Sequence, residues 1–150
     1  MANPAYIEGL KMLARRELSE KQVRQRLARK EFDENAIDEA IARLVEERAI
    51  DDTRVAEAIA RSETSVRKRG KLRVKRKIES AGIRPTIAKQ AVDEVFGGLD
   101  ADALLESALS KRLKRGQSIA DEREFNRLYR YLVGQGFEPD RVLELLRTKK

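Results

Sequence analysis

The sequence predicts an all-α protein that consists of three tandem three-helix repeats. Charged residues make up 39% of the chain and aromatic residues 5%, a composition that suits helices with one narrow apolar stripe. Apolar residues recur at fixed offsets in three segments, and helix-capping residues precede them. We expect the repeats to span residues 1–50, 51–98 and 99–150 and to stack into an elongated, right-handed body that can curve.

The repeat is centred on three anchor residues, Phe32, Ile83 and Phe137, which are 51 and 54 residues apart. Apolar residues occupy the positions nine and five before each anchor and nine after it. In chain order these are Val23, Leu27 and Ile41, then Val74, Ile78 and Val92, then Leu128, Leu132 and Leu146. Because the first two positions of each set are four residues apart, they predict the buried stripe of a middle helix.

The first helix of each repeat is predicted from its start. We expect it over roughly residues 5–17 in the first repeat, and after Asp51 and Asp100 in the others, since aspartate is a favoured N-cap. The segment "LSEKQV" predicts the start of the middle helix of the first repeat, because Ser19 and Gln22 have the spacing of a capping box.

A turn links the middle helix to the third. Gly82 and Gly136 directly precede two of the anchors and are suited to end a helix in the left-handed conformation. Glu31 stands at that position in the first repeat, which predicts a different or strained helix end there.

The third helix of each repeat is expected to start at Asp33 and at the residues before Pro85 and Pro139, since proline is tolerated at the first helical position. In the first repeat its core face is predicted from "ENAIDEAIARLVEER". Two glycines in "FGGLD", residues 96–100, predict a hinge between the second and third repeats.

The composition also limits the function. The chain contains no Cys and no His, which excludes thiolate nucleophiles, His-based catalysis and the usual zinc sites. No glycine-rich phosphate loop has the Walker spacing, and we expect no enzymatic activity, cofactor or metal. No apolar run approaches the roughly 20 residues of a membrane span, and no signal peptide is evident, so we expect a cytoplasmic protein without membrane contact.

The net charge of +7 is concentrated in the second and third repeats. Residues 1–50 contain as many basic as acidic residues, whereas residues 51–100 and 101–150 have excesses of +4 and +3. The densest stretch is "VRKRGKLRVKRK", residues 66–77, with eight basic residues and no acidic one. Localised positive charge favours polyanions or acidic protein surfaces.

Helical periodicity places these cations on an outer surface at one helix–helix corner. The predicted inner face of the preceding helix consists of Val55, Ile59, Ser62 and Val66. On the following helix Arg76 is expected to point outward, opposite to Val74 and Ile78. We define the basic ridge as ten cations that this scheme exposes: Arg54, Arg61, Arg67, Lys68, Arg69, Lys71, Arg73, Lys75, Arg76 and Lys77.

Three interpretations of the basic ridge stay open from its residues alone. Charge runs are commonly solvated helix faces without a partner. Contact with phosphates would release counterions and make binding steeply salt-dependent, and an acidic protein surface would attract the same cations. Tyr129 and Tyr131 are candidates for stacking on bases, although packing is expected for at least one of them.

Four segments of the chain carry a family resemblance. They are "LARRELSEKQVRQRLARKEFDENAIDEAIARL", "DDTRVAEAIARS", "RGKLRVKRKIESAGI" and "YRYLVGQGF", which are distributed between residues 13 and 137, so the match extends over nearly the whole chain. Each motif alone is weak, but their order and spacing resemble the RecX family of bacterial regulators of the RecA recombinase.

The resemblance implies a helical modulator that binds in the groove of the RecA–DNA filament and inhibits RecA ATPase and strand exchange, in homologous recombination, DNA repair and the SOS response. It implies no catalytic residues and no cofactor. Since the filament groove exposes acidic protein surface close to DNA phosphate, we hypothesise that the basic ridge contacts both. DNA phosphate would be a secondary, non-specific partner.

The chain departs from the family pattern at two places. Val55 and Ile59 stand where aromatic residues are common, which predicts a thinner core in the second repeat, and Glu31 replaces the usual glycine.

The alternative function is a sequence-independent DNA-binding protein that acts on nucleic acid directly, and a helical scaffold for unrelated proteins is a third. In each case we expect a monomer.

Overall fold

The computed structural model describes residues 3–150, which form nine α-helices and no strand. The first repeat contains α1 (Pro4–Arg15), α2 (Glu20–Arg29) and α3 (Glu34–Glu46). The second contains α4 (Asp52–Ser65), α5 (Lys71–Ser80) and α6 (Pro85–Gly97). The third contains α7 (Ala101–Leu109), α8 (Glu122–Gly134) and α9 (Pro139–Arg147). No helix in this described range is long and apolar enough to cross a membrane.

Each group of three helices encloses its own apolar core. The three cores draw on residues 5–50, 55–96 and 104–146. All nine apolar positions that flank the anchors are at most 4% exposed, so the predicted repeat and the all-α fold are confirmed. The right-handed curve of the stack and the boundaries of the repeats as separate domains stay predictions.

The second core is built from smaller side chains than the other two. Half of its ten buried members are alanines, Ala56, Ala60, Ala81, Ala88 and Ala91. This composition agrees with the thinner core that was expected from the missing aromatic residues.

Predicted side-chain caps begin four of the nine helices in residues 3–150. The Ser19 side chain accepts a hydrogen bond from the Gln22 N–H, and the Gln22 side chain accepts one from the Ser19 N–H, which completes the capping box. Asp33, Asp51 and Asp100 each accept a hydrogen bond from a backbone N–H in the first turn of the helix that follows. Side-chain oxygens therefore satisfy the otherwise unpaired N–H groups of these first turns.

The face that α4 buries differs from the predicted one. Ser62 is exposed and Val66 is 72% exposed, so their assignment to the inner face was wrong. The residues buried instead are Ala56, Ala60, Glu63 and Thr64, together with Val55. Two alanines let α6 pack closely against this side of α4, and the helix ends at Ser65, before Val66 is reached.

Successive repeats meet through the same contact, which we name the joint. The N-cap of the middle helix in one repeat donates a hydrogen bond to the turn after the middle helix of the next. At the first joint the Ser19 hydroxyl donates to the Ala81 carbonyl oxygen. At the second joint the Gly70 N–H donates to the Gln135 carbonyl oxygen over 2.8 Å. Ser19 and Gly70 occupy equivalent positions in their repeats, as do Ala81 and Gln135.

The joint explains why two of the three turns carry glycine. Gly82 and Gly136 have φ angles of 84° and 102°, and each lies against the preceding repeat. A Cβ on Gly82 would lie 2.5 Å from the Lys21 Cδ, and one on Gly136 would lie 2.3 Å from the Arg73 Cβ. Glu31 adopts the same left-handed conformation, with φ 65°, but its turn belongs to the first repeat and is exposed.

Replacing Glu31 by glycine is expected to stabilise the protein by about 1 kcal/mol, because a left-handed residue with a Cβ costs roughly that amount. Urea unfolding, monitored by circular dichroism, measures the change in the free energy of unfolding. Glu31→Ala is the control, since it removes the carboxylate but keeps the Cβ. Equal stability of the Gly and Ala variants would contradict the conformational explanation.

Candidate functional site

The basic ridge lies at the corner between α4 and α5. Arg54 and Arg61 lie on the exposed side of α4, whereas Lys68 lies beyond the end of that helix. Residues 66–70 form the connecting loop, in which Lys68 has a φ of 55°. Gly70 is the N-cap of α5, so the last five cations of the ridge come from that helix.

Arg54 is engaged in the contact between the first two repeats. Its Nε lies 3.0 Å from a carboxylate oxygen of Glu17. Its Nη1 and Nη2 donate to the carbonyl oxygens of Arg48 and Ala49 over 3.1 and 3.3 Å. These carbonyls follow the C-terminus of α3, where a cation is favourable. Arg54 therefore has a structural role where the first two repeats meet.

Arg69 is turned inward at the end of the loop. Its guanidinium lies 4.0 Å from the Glu63 carboxylate, and the two side chains are only 17% and 10% exposed. The backbone N–H of Arg69 donates to the Glu63 carbonyl oxygen over 2.9 Å. Among the described residues, its Nε and Nη1 have no hydrogen-bond partner. The charge of Arg69 is thus largely withdrawn from the outer surface.

Lys71 is paired with an acidic residue of α6. Its Nζ lies 3.3 Å from one carboxylate oxygen of Asp93, and Lys89 donates to the other over 2.8 Å. The hydrogen bond from Lys89, followed by that from Lys71, holds the pKa of Asp93 below its usual value. Asp93 is therefore ionised at neutral pH and offsets part of the charge of Lys71.

Arg73 joins the second repeat to the third. Its Nη1 donates to the Gly134 carbonyl oxygen, at the C-terminal end of α8, over 3.1 Å. The negative end of the α8 dipole favours a cation at this place.

Arg61 is tied more weakly, since its Nη2 lies 3.5 Å from a Glu57 carboxylate oxygen and its side chain is 68% exposed.

The other half of the ridge carries uncompensated charge. Within residues 3–150, no carboxylate lies within 4.0 Å of the side-chain nitrogens of Arg67, Lys68, Lys75, Arg76 or Lys77. Arg67, Arg76 and Lys77 are exposed, and the other two are half-buried. These five cations, which we name the free cations, are the part of the ridge that is available to an external anion.

The sequence reasoning missed a second basic surface in the first repeat. A groove of about 400 Å³ between α1 and α2 is lined by one acidic residue, Glu8, and by six cations: Lys11, Arg15, Arg16, Arg26, Arg29 and Lys30. A hydrogen bond from Lys30 holds the pKa of Glu8 below its usual value. The overall neutrality of residues 1–50 concealed this groove, although the helical spacing of Lys11 and Arg15 pointed to it.

The two tyrosines of α8 are half-buried. Tyr129 and Tyr131 both lie against the third core. The Arg112 guanidinium covers the Tyr131 ring at 4.3 Å from its centroid, a cation–π contact. The packing that was expected for one tyrosine therefore applies to both.

Comparison with known proteins decides the family of this chain. Residues 5–44 match the family model for RecX, first three-helix domain, which corresponds to α1–α3. The chain is also 31% identical over 135 residues to regulatory protein RecX of Halorhodospira halophila, covering 89% of this chain and 81% of the relative. The chain belongs to the RecX family.

Further RecX proteins extend the similarity over nearly all of the chain. RecX of Chlorobium phaeobacteroides is 30% identical over 144 residues, covering 95% of this chain and 91% of the relative. The crystal structure of RecX from Lactobacillus salivarius has a TM-score of 0.78 at 23% identity, covering 96% of this chain and 95% of that one. The fold is therefore the RecX fold. The relatives are regulatory proteins, which agrees with the expectation that this chain is not an enzyme.

Proposed function

We propose that this RecX-family chain binds the RecA–DNA filament through the basic ridge and inhibits RecA ATPase and strand exchange. The observation that carries the proposal is the group of five free cations at the corner of α4 and α5. Membership of a family of regulatory proteins supports a binding role. A surface of cations can contact acidic protein side chains and DNA phosphates together, without any catalytic group.

The free cations and the paired cations have different roles in this proposal. Arg54 and Arg73 position the second repeat against its neighbours, and Lys71 ties α5 to α6 through Asp93. These contacts fix α5, so that Arg76 and Lys77 are presented on a rigid helix. In this proposal the paired cations hold the surface in place and the free cations contact the filament.

RecA ATP hydrolysis on single-stranded DNA, measured while this protein is titrated in, tests the proposal. Inhibition at well below one protein per RecA is expected. If hydrolysis falls only when the protein saturates the DNA itself, simple competition for phosphate explains the effect. That result would favour the alternative of a sequence-independent DNA-binding protein.

Replacing Asp93 by asparagine is expected to strengthen filament binding about twofold to fivefold. The change releases Lys71 and Lys89 from their shared carboxylate partner, while Arg73 still anchors α5 on the end of α8. One additional exposed charge contact at Lys71 contributes roughly 0.5–1 kcal/mol. The concentration for half-maximal inhibition of RecA measures the effect.

Asp38→Asn is the matched control for this gain. It removes an exposed carboxylate, which pairs with Arg24 at 2.6 Å in the first repeat, and raises the net charge by the same unit. Equal gains in the two variants would show that net charge alone, and not Lys71 at the ridge, sets the affinity.

A further inference from the structure

The third repeat carries arginines at the same repeat positions as the basic ridge. Arg123, Arg127 and Arg130 lie 14, 10 and 7 residues before the anchor Phe137. Arg69, Arg73 and Arg76 lie at the same three offsets before the anchor Ile83. The first repeat has Leu18, Gln22 and Gln25 at these offsets. The second and third repeats therefore share an arginine pattern that the first one lacks.

The three arginines of α8 form one exposed row. Their spacing of four and three residues places them on a single helix face, and all three are exposed. Leu128 and Leu132, on the opposite face, are buried at 4% and 0%. In the described part of the chain, no carboxylate lies within 4.0 Å of any of the three guanidinium groups.

The second joint brings this row to the end of the basic ridge. The N-terminus of α5 meets the C-terminal end of α8, where the Gly70 and Leu72 N–H groups donate to the carbonyl oxygens of Gln135 and Gly136. Arg73 of the ridge donates to the Gly134 carbonyl oxygen. Gly134 is exposed and lies one helical turn after Arg130, so the row and the ridge adjoin on the same side of the joint.

The combined surface is long relative to either helix. The 13 residues of α8 extend over about 20 Å and the 10 residues of α5 over about 15 Å, at 1.5 Å per residue. A surface of that length suits an extended ligand with regularly spaced negative charges. A single phosphate or a short acidic side chain would occupy only a small part of it.

We propose that the arginine row of α8 continues the basic ridge and binds the sugar–phosphate backbone of nucleic acid. Arginine is suited to phosphate because its planar fork can donate two parallel hydrogen bonds. Tyr129 and Tyr131 pack against the third core, whereas the three arginines are exposed and available to phosphates. The extension rests on the proposed function of the ridge and specifies which part of the filament α8 meets, the DNA.

The salt dependence of DNA binding tests this assignment. Binding of a fluorescein-labelled DNA duplex by the full chain is measured over a series of salt concentrations. The variant replaces Arg123, Arg127 and Arg130 by glutamine. Each lost phosphate contact lowers the slope of log affinity against log salt by about 0.9, so the slope is expected to fall by about 2.7.

The matched control replaces Lys111, Lys114 and Arg115 by glutamine. These exposed cations belong to the loop after α7, so the control removes the same charge from the same repeat. Equal slopes for the two variants would overturn the proposal, as would the absence of duplex binding by the wild-type chain at low salt. The titration of RecA hydrolysis by the wild-type chain tests the proposed function separately, since it does not depend on which variant changes the slope.

Discussion

Replacing Arg67, Arg76 and Lys77 by glutamate is expected to raise the concentration for half-maximal RecA inhibition at least about tenfold. A factor of ten corresponds to 1.4 kcal/mol, and the loss of three exposed charge contacts of about 0.5 kcal/mol each already reaches that value. Repulsion by the introduced carboxylates adds to it. The three residues are exposed and belong to the free cations, so their replacement leaves the structural contacts of the ridge intact.

The choice of these residues separates binding from folding. Arg54 is excluded from the variant, although the sequence placed it in the ridge, because its loss would break the contacts with Glu17 and with two carbonyls at the first joint. A second variant, with glutamate at Lys111, Lys114 and Arg115, changes the net charge equally. If both variants inhibit RecA equally well, the basic ridge is not the contact surface; unchanged circular dichroism of both verifies that the fold is preserved.

Local sequence patterns predicted most of the fold because they report on local physics. The apolar residues at four-residue spacing had to be buried together, and Ser19, Asp33 and Asp51 had oxygens suited to cap helices. Ser62 and Val66 were exceptions, since Ser62 lies on the exposed side of α4 and the helical periodicity was extended to Val66, one residue beyond the end of the helix. The boundary of a helix depends on contacts that the periodicity of its own residues does not contain.

The division of the ridge into free and paired cations could not be predicted from the sequence. Arg69 is turned inward, contrary to the prediction that all ten cations are exposed. The partners of Arg54, Lys71 and Arg73 lie 37, 22 and 61 residues away. Only the packing of the helices brings those partners close. The groove between α1 and α2 was missed for a related reason, because acidic residues elsewhere in the first repeat balanced its charge in the count.

Replacing Gly70 by alanine is expected to destabilise the protein by about 2–3 kcal/mol, the upper part of the range for overpacking, because the contact is with backbone. The added Cβ would lie 2.4 Å from both the Gly136 carbonyl carbon and the Phe137 nitrogen. Backbone atoms cannot move aside as the end of a side chain can. Gly70 has φ −83° and ψ 167°, a conformation open to any residue, so the effect would report the close approach at the second joint and no backbone strain.

The location of the structural change in Gly70→Ala is as informative as the loss of stability. Opening the second joint breaks the hydrogen bonds from the Gly70 and Leu72 N–H groups, so amide hydrogen exchange should accelerate at these two positions while the first core stays protected. Gly134→Ala is the control, because nothing lies within 4 Å of its added Cβ and alanine in a helix is favoured over glycine by about 1 kcal/mol. If Gly70→Ala were as stable as that control, the joint would not couple the repeats. A destabilised Gly70→Ala chain should also inhibit RecA less well than wild type, since the N-terminus of α5 would no longer be held against the end of α8.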